Sequence, residues 1–469
     1  MPHEMKDMIV LLPGILGSEL KKDGKVVWGF KASVMLKNLL SGGKRFEKDL
    51  LLHDPDQDDG IVATRLLPDL HLIPGLWKVD GYSRIIKSLE KLFDLTEGRN
   101  FHTFPYDWRR DNRRTAKLLE TFIGDRLKAW RESSGNADAK VILIAHSMGG
   151  LVSRYYLEVL GGFRDTRALF TFGTPYRGSV LALKTLGNGV KVYPPVVKPI
   201  TVKPASRVAR SLPSLYQLRP TYRCWIEDEK RIGLKDANKL PTHVDAARMA
   251  DALAFHDETQ DAAGQNGANY KTFTATGFVE KTSLTGWLSG DGGVLSSRKL
   301  DGREWGGDGT VPRFSSNPTS LIPGIQAMFG RNEHGSIQNA KETIAHLEGA
   351  LTEFDIDGTR FSGGELNLDI QDLYLKGDPV IVRASAPIPL SAVAVDLWRD
   401  GQVVAEDIPT TTDFNEEFEA LLNDLPVGDY TVRCRSLEGA ATEGSFAVLD
   451  MDAAEIEGEP SGDTEGDVE

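Results

Sequence analysis

The chain of 469 residues is longer than one typical domain, so we expect a large domain with a second one attached. Its formal net charge of -13 argues against nucleic acid as a partner, because DNA- and RNA-binding proteins present a basic surface. The sequence has no apolar run near the roughly 18 residues that span a bilayer, and its two cysteines, Cys224 and Cys434, make no disulfide framework, which predicts a cytoplasmic protein.

The first predicted strand is the apolar run from Met8 to Leu12, which is typical of a buried parallel sheet. It ends in the loop Pro13-Gly14-Ile15. In hydrolases with this order of elements, the loop after an early strand supplies an oxyanion-binding N–H, and glycine lets the backbone approach the substrate. We therefore assign an oxyanion amide to Ile15 with structural support from Gly14, although Pro-Gly also ends many strands that have no catalytic role.

The region from Leu70 to Arg109 is expected to have a structural role and no part in the chemistry. The segment from Leu70 to Trp77 is rich in leucine and tryptophan, which suits either a lipid-facing surface or the core. An amphipathic helix over 81–89 and a strand over 100–104 follow. The strand leads to Asp107 and Arg109, which we expect to pair as structural support near the site.

The stretch around Ser147 carries the strongest signal in the chain. A predicted helix over 115–133 leads to an unbroken apolar strand over 141–145, and helical spacing resumes after Ser147. The sequence Ala145-His146-Ser147-Met148-Gly149 resembles the strand–turn–helix motif G-x-S-x-G with alanine at the first glycine. In that motif the serine is a nucleophile, Gly149 lets strand and helix approach closely, and the Met148 amide is an oxyanion donor. An ordinary turn with a capping serine is the alternative.

Strands over 167–173 and 270–278 flank a long stretch that predicts a cap. Residues 180–268 contain several prolines and a helical segment but no lasting strand alternation. A long insertion between successive sheet strands suits a cap over a site. The alternation of strands and helices elsewhere predicts a parallel sheet.

The acid and the base of the predicted site are identified from the order of residues along the chain. Asp308 lies among glycines after the late strand, where such an enzyme carries its acid, although Asp-Gly is also a common turn. Of the four histidines after Ser147, two lie in the presumed cap and His346 lies within a helical pattern. His334 precedes that helix and completes the order Ser, Asp, His of this fold. The predicted triad is therefore Ser147, Asp308 and His334.

With these motifs placed, the chain resembles the lecithin:cholesterol acyltransferase family, a lipase-like branch of the α/β-hydrolases that includes phospholipid:diacylglycerol acyltransferases and a lysosomal phospholipase A2. The resemblance extends over residues 8–351. It rests on the stretches 10–20, 105–109, 145–150 and 307–311 and on His334 with the helix after it.

The resemblance implies that Ser147 is the acyl-accepting nucleophile, that Asp308 and His334 complete its triad, and that the residue after Pro13-Gly14 supplies an oxyanion amide. Two departures limit what it implies. Secreted members hold loops with disulfides, for which this chain lacks the cysteines. Its cap sequence is also unfamiliar, so we do not transfer the family's phospholipid and sterol specificity.

The C-terminal part has a different pattern. After the α/β-hydrolase domain over 1–354 and a linker over 355–364, short alternating strands over 365–450 predict an all-β, immunoglobulin-like sandwich. It has no catalytic constellation, so it is expected to stabilise the protein or to bind an unidentified protein. The acidic residues of 451–469, without any Lys or Arg, predict a disordered tail.

Together these features predict a serine-dependent ester hydrolase or O-acyltransferase that acts on lipid-like esters through an acyl-enzyme, without metal or cofactor. The expected partners are a lipid or other ester substrate and, transiently, a membrane surface, with no nucleic acid. The alternatives are a thioesterase or amidase with the same triad, and an inactive hydrolase scaffold used for protein interaction.

Overall fold

The computed structural model describes residues 2–29, 43–68, 81–192, 200–266, 270–317, 322, 325–353, 367–370, 373–385, 393–399, 402–412, 418–436 and 441–449. The chain divides into two compact units, Met1–Glu353 and Phe354–Glu469. The leucine- and tryptophan-rich segment from Leu70 to Trp77, the linker over 355–364 and the acidic tail lie outside the described residues.

The first unit alternates strands and helices. Up to the middle of the unit they are β1 (Met8–Leu12), β2 (Ser18–Lys22), β3 (Lys25–Trp28), α1 (Lys44–Leu50), β4 (Ile61–Leu66), α2 (Ser83–Leu92), β5 (Phe101–Thr103), α3 (Asn112–Ser134), β6 (Val141–His146), α4 (Met148–Glu158) and β7 (Thr166–Phe172). Then follow α5 (Val180–Asn188), β8 (Lys191–Val192), β9 (Ile200–Thr201), α6 (Lys203–Ser211), α7 (Pro213–Tyr216), β10 (Trp225–Glu227), β11 (Lys230–Ile232) and α8 (Ala246–Asn266). The unit ends with β12 (Lys271–Gly277), β13 (Thr285–Leu288), β14 (Val294–Ser297), β15 (Lys299–Leu300), β16 (Arg303–Glu304), α9 (Arg313–Ser316), β17 (Gln326–Gly330) and α10 (Lys341–Glu353).

Six of these strands form the central sheet, in the order β17-β12-β7-β6-β1-β5, and every neighbouring pair is parallel. Every residue of β1 and of β6 is buried, which explains why both strands are apolar without alternation. The predicted parallel sheet is confirmed. Because the strands are parallel, the loops after β1, β6, β12 and β17 meet at the carboxyl edge of the sheet, where α/β proteins place their sites.

The helix α3 covers the sheet and shows how the local sequence sets its ends. The Asp111 side chain accepts a hydrogen bond of 2.7 Å from the Arg113 N–H at its start, and Gly135 ends it with φ of 71°. Leu119, Ile123 and Leu127 are buried at helical spacing.

The stretch between β7 and β12 contains helices and short strands. Strand β10 pairs with β13, which comes after β12, so the small sheet β11-β10-β13-β14 joins residues before and after that strand. The strands β8 to β11 within 180–268 are only two or three residues long, so they leave no lasting alternation in the sequence.

The second unit is a two-sheet sandwich, which confirms the predicted all-β architecture. Its strands are β18 (Asn367–Asp369), β19 (Leu373–Leu375), β20 (Val380–Ser385), β21 (Val393–Arg399), β22 (Gln402–Pro409), β23 (Thr411–Thr412), β24 (Phe418–Leu422), β25 (Gly428–Ser436) and β26 (Ala441–Leu449). The sheets β18-β20-β24-β23 and β19-β26-β25-β21-β22 share one core, to which Val382 and Phe418 contribute from the first sheet and Val395 and Val432 from the second.

Candidate active site

Ser147 lies at the sharp turn between β6 and α4. Its φ of 51° and ψ of -122° are unusual for a residue other than glycine, a strain that costs about 1–3 kcal/mol. Two neighbours hold the turn: the Ser147 N–H donates to the Phe172 carbonyl at 2.8 Å, and the Thr174 hydroxyl donates to the Ser147 carbonyl at 2.9 Å. The strained turn lifts the serine side chain out of the strand, as the sequence motif requires.

Gly149 allows the helix to start directly against the first strand. A Cβ atom at this position would lie 2.5 Å from the Pro13 carbonyl oxygen, which is closer than any real contact. Glycine at the second conserved position of the motif is therefore required by packing, whereas Ala145, buried in β6, fits where the motif usually has its first glycine.

The three predicted triad residues come together at the carboxyl edge of the sheet. His334 Nε2 lies 2.9 Å from Ser147 Oγ, and His334 Nδ1 lies 2.7 Å from Asp308 Oδ2. All three residues are buried in the protein. A carboxylate on one ring nitrogen and a hydroxyl on the other fix the imidazole with its proton on Nδ1 and a basic Nε2 facing the serine.

Asp308 is oriented by its own loop. Its Oδ1 accepts hydrogen bonds from the backbone N–H groups of Thr310 and Val311 at 3.0 and 2.7 Å, which leaves Oδ2 for His334. The backbone is joined as well, because the His334 N–H donates to the Asp308 carbonyl at 2.9 Å. These bonds give partners to the oxygens of a side chain that is 2% exposed.

The loop after β1 lies beside the serine. A Cβ atom on Gly14 would lie 2.9 Å from Ser147 Cβ. The Gly14 N–H donates to the Tyr82 hydroxyl, and the Tyr106 hydroxyl donates to the Pro13 carbonyl, both at 2.8 Å. The backbone N–H groups of Ile15 and Met148 are the two that the sequence analysis assigned to oxyanion binding. Within the described residues, neither N–H donates a hydrogen bond to a loop backbone or to a side chain.

Asp107 and Arg109 form the predicted ion pair. Arg109 is fully buried and donates to Asp107 Oδ2 at 2.7 Å and to Asp59 Oδ2 at 2.8 Å. Burial alone would lower the pKa of the Arg109 guanidinium, but the hydrogen bonds to Asp107 and Asp59 outweigh it and raise the pKa. The pair anchors the loop after β5 to the loop before β4.

Two residues with no predicted role also belong to the site. The Tyr82 hydroxyl lies 2.9 Å from His146 Nδ1, and His146 Nε2 lies 2.9 Å from the His334 carbonyl oxygen. His146 is part of the serine motif, so its position was a signal that could have been used. Tyr82 follows no motif, and nothing in the sequence indicates its role.

A cavity of about 570 Å³ begins at the loop after β1, which contributes Ile15 and Leu16 to its lining. Its lining is mainly apolar and includes Ile15, Leu16, Trp108, Val208, Ala209 and Leu212. Lys184 and Lys191 also line it, and burial, together with Lys191 and Arg298, lowers the pKa of the Lys184 ammonium. The shape and lining of this cavity suit an extended apolar group that has one end at Ile15.

The described part of the chain has neither a metal-binding cluster nor a membrane-spanning helix. No group of three or more His, Cys, Asp or Glu side chains is placed there to hold a metal ion. None of the helices in the described ranges combines the length and the apolar character needed to span a bilayer.

The parallel sheet, the strained serine turn and the arrangement of side chains at the carboxyl edge define an α/β-hydrolase fold. A family model described as "Lecithin:cholesterol acyltransferase" matches residues 60–263, which confirms the resemblance over that range, less than half of the chain. The matched range contains Ser147 but not Gly14, Asp308 or His334.

Two curated relatives have related names. "Lecithin-cholesterol acyltransferase-like 1" of Arabidopsis thaliana is 25% identical over 185 residues, 35% of this chain and 42% of the relative. "Lysosomal phospholipase A and acyltransferase" of Homo sapiens is 29% identical over 122 residues, 25% of this chain and 28% of the relative. The chain thus matches less than half of the length of these relatives.

A solved structure shares the fold. The chain is similar to one in "The crystal structure of Tle4-Tli4 complex" with a TM-score of 0.52 and 15% sequence identity, over 76% of this chain and 99% of that chain. At this identity the likeness concerns the fold.

Proposed function

We propose that the protein is a serine-dependent ester hydrolase or O-acyltransferase that acts on lipid-like esters through an acyl-enzyme. The observation that carries the proposal is the continuous hydrogen-bonded path from Ser147 Oγ through His334 to Asp308 Oδ2, with distances of 2.9 and 2.7 Å. Nucleophile, base and orienting acid in this geometry are the requirements of acyl transfer by serine.

In the first half of the reaction, Ser147 Oγ attacks the acyl carbonyl while its proton passes to His334 Nε2. The amides of Ile15 and Met148 donate to the resulting oxyanion. The carbon–oxygen bond to the leaving alcohol then breaks, the alcohol takes the proton from His334, and the acyl group stays on Ser147. Asp308 stabilises the imidazolium throughout.

In the second half, His334 takes a proton from water or from an acceptor alcohol, whose oxygen attacks the acyl-enzyme. The bond to Ser147 breaks, and the serine regains its proton from His334. The product is a carboxylic acid when water attacks and a new ester when an alcohol attacks, so access of the acceptor decides between hydrolase and acyltransferase.

The cavity supports a lipid-like acyl group as the substrate. Its mainly apolar lining begins at Ile15, where the acyl carbonyl would lie, and a volume of about 570 Å³ is sufficient for a long chain. The names of the two relatives, one lecithin-cholesterol acyltransferase-like and the other a phospholipase A and acyltransferase, support the same class of ester.

The remaining predictions concern the setting of the enzyme. Transient contact with a membrane surface would accompany a lipid substrate, and a protein partner of the β-sandwich stays a prediction from the sequence. The cytoplasmic location also stays a prediction.

The test compares the wild type with Ser147→Ala on nitrophenyl esters of increasing acyl length, after thermal unfolding has shown that both proteins are folded. Ser133→Ala, an exposed serine on α3, is the matched control. We expect activity that rises with acyl length, is lost in Ser147→Ala and is kept in the control. A fluorophosphonate should label the wild type and the control but not Ser147→Ala.

Three other results of these assays would contradict the proposed function. If Ser147→Ala retains wild-type activity, the serine assignment is wrong. Faster reaction with acyl thioesters or anilides than with esters would favour the thioesterase or amidase. If the folded wild type neither hydrolyses an ester nor reacts with the fluorophosphonate, the inactive scaffold is the better description.

A further inference from the structure

A chain of buried hydrogen bonds connects the loop after β1, which contains Gly14 and Ile15, with the loop after β17 that carries His334, here called the histidine loop. It begins at the Gly14 N–H, which donates to the Tyr82 hydroxyl oxygen at 2.8 Å. The hydroxyl lies 2.9 Å from His146 Nδ1, and His146 Nε2 lies 2.9 Å from the His334 carbonyl oxygen. The two imidazole rings, His146 and His334, lie with their centroids 5.2 Å apart.

Only one arrangement of protons satisfies every group in this chain. The carbonyl of His334 can only accept, so His146 Nε2 carries the proton and Nδ1 is an acceptor. The Tyr82 hydroxyl therefore donates to Nδ1, while its oxygen accepts from Gly14. Burial, with a smaller contribution from His334, lowers the pKa of His146 to about 3, so this neutral form is the one present near neutral pH.

The start of α2 is attached to the segment that follows His334. The Gly81 carbonyl accepts from Gln338 Nε2 at 3.0 Å and from Asn339 Nδ2 at 3.2 Å, and the Ile85 N–H donates to Asn339 Oδ1 at 3.1 Å. The Tyr82 side chain therefore has a fixed position relative to the histidine loop.

We propose that Tyr82 and His146 are positioning residues that set the spacing between the oxyanion amide of Ile15 and the imidazole of His334. The inference rests on the proposed esterase function. The Gly14 N–H is held by Tyr82, which orients the backbone that carries the next N–H, that of Ile15, toward Ser147. The same hydrogen-bonded chain holds the backbone of His334.

A purely structural role would have a different signature. Loss of a buried hydrogen bond lowers the stability of any folded protein. Loss of positioning weakens an interaction that is made only in the transition state, so kcat decreases while KM does not change. The kcat and KM of folded variants therefore separate the two roles.

The experiment compares Tyr82→Phe with the matched control Tyr270→Phe. The Tyr270 hydroxyl, which is partly buried, also donates a side-chain hydrogen bond, to Glu158 Oε1 at 2.6 Å. Tyr270 directly precedes β12 at the amino edge of the sheet, opposite the triad. With nitrophenyl esters we expect kcat of Tyr82→Phe to decrease about 10- to 100-fold with KM within about threefold, somewhat less than the loss of a whole oxyanion donor. Tyr270→Phe should stay within about twofold of the wild type.

A second variant covers the case in which Tyr82→Phe does not fold. His146→Gln keeps an N–H near the position of Nε2 but breaks the link to Tyr82, and we expect the same decrease in kcat. The double variant should lose no more than the more impaired single variant, because both substitutions break one chain.

The inference is overturned if folded Tyr82→Phe or His146→Gln has the kcat of Tyr270→Phe, if the change is in KM alone, or if the two losses in the double variant multiply. A wild type without esterase activity would instead reject the proposed function, since the comparison begins from an active enzyme.

Discussion

His334 Nε2 lies 2.9 Å from Ser147 Oγ, although 187 positions separate the two residues in the sequence. The parallel sheet produces this proximity, because β6 and β17 both end at its carboxyl edge. Ser147 directly follows β6, and His334 lies in the loop that follows β17. Asp308 joins them from a loop that bridges to Glu280, just beyond β12. The site is thus a property of the sheet order, and substitutions in it are expected to alter activity more than folding.

Asp308→Asn tests the acid. The asparagine oxygen can still accept from the Thr310 and Val311 amides, so the loop should keep its conformation. The amide nitrogen would then face His334 and favour the wrong tautomer, for which we expect a decrease in kcat of about 10⁴-fold on nitrophenyl esters. Asp125→Asn, an exposed carboxylate on α3, is the matched control and should retain full activity. Comparable kcat in the two folded variants would contradict the role of Asp308.

Gly173→Ala tests the space behind the Asp308–His334 pair. Gly173 has a φ of 58°, and a Cβ there would lie 2.8 Å from Asp308 Oδ2 and 3.0 Å from His334 Nδ1. The variant should lose both stability and kcat, because the backbone is strained and the pair is pushed apart. Gly124→Ala is the contrast: it lies on α3 with no atom within 4 Å of the added methyl group, so it should gain about 0.5–1 kcal/mol. Urea unfolding and ester kinetics of both variants check this, and equal effects would refute it.

The sequence brings Ser147, Asp308 and His334 forward as a candidate triad, and the structure places their side chains within hydrogen-bonding distance of one another. Ser147 has the strongest local pattern, whereas Asp308 and His334 are predicted from chain order alone. What the sequence did not predict was β17, whose side chains are only partly buried at the edge of the sheet and give no apolar run. Short edge strands depend on pairing that no local pattern reports.

Tyr82 shows a second limit of the sequence. It contacts Gly14 and His146, which lie 68 and 64 positions away. A buried tyrosine in an amphipathic helix looks like ordinary core, and only the three-dimensional structure shows that its hydroxyl joins two loops. Residues that position a site through the backbone of others carry no motif of their own.

In the second unit, the short alternating strands predicted over 365–450 do not reveal that β18 and β19, which are close in the sequence, lie in different sheets. A change of sheet within a few residues is decided by packing against partners far along the chain. Local alternation reports the presence of strands but not their assignment to sheets.

Ala209→Phe tests the cavity as the acyl site. Ala209 is buried on α6 and lines the cavity, so a phenyl ring there would occupy part of its volume. We expect kcat/KM for long-chain nitrophenyl esters to decrease about tenfold or more, because the chain loses apolar burial at about 0.8 kcal/mol per CH2. Esters of short acids need less of the cavity, so their hydrolysis by the same variant is the internal control. An unchanged ratio of long-chain to short-chain activity would exclude this cavity.

The buried imidazole of His256 should make the free energy of unfolding depend on pH. Its Nε2 lies 2.7 Å from the Gln217 carbonyl oxygen, and burial lowers its pKa from 6.5 to about 4. Between these two values the unfolded chain binds a proton that the folded protein does not, so acid favours unfolding. One such histidine contributes about 1.4 kcal/mol per pH unit, or about 3 kcal/mol between pH 6.5 and 4.

His256→Gln isolates this contribution. Glutamine can still donate to the Gln217 carbonyl but has no proton to gain, whereas His146 stays in both proteins and cancels from the difference. Urea unfolding of both proteins from pH 7 to pH 4 should show a steeper loss of stability in the wild type, with the difference between them shrinking toward low pH. Parallel curves would mean that His256 is protonated in the folded protein, and that burial does not keep it neutral.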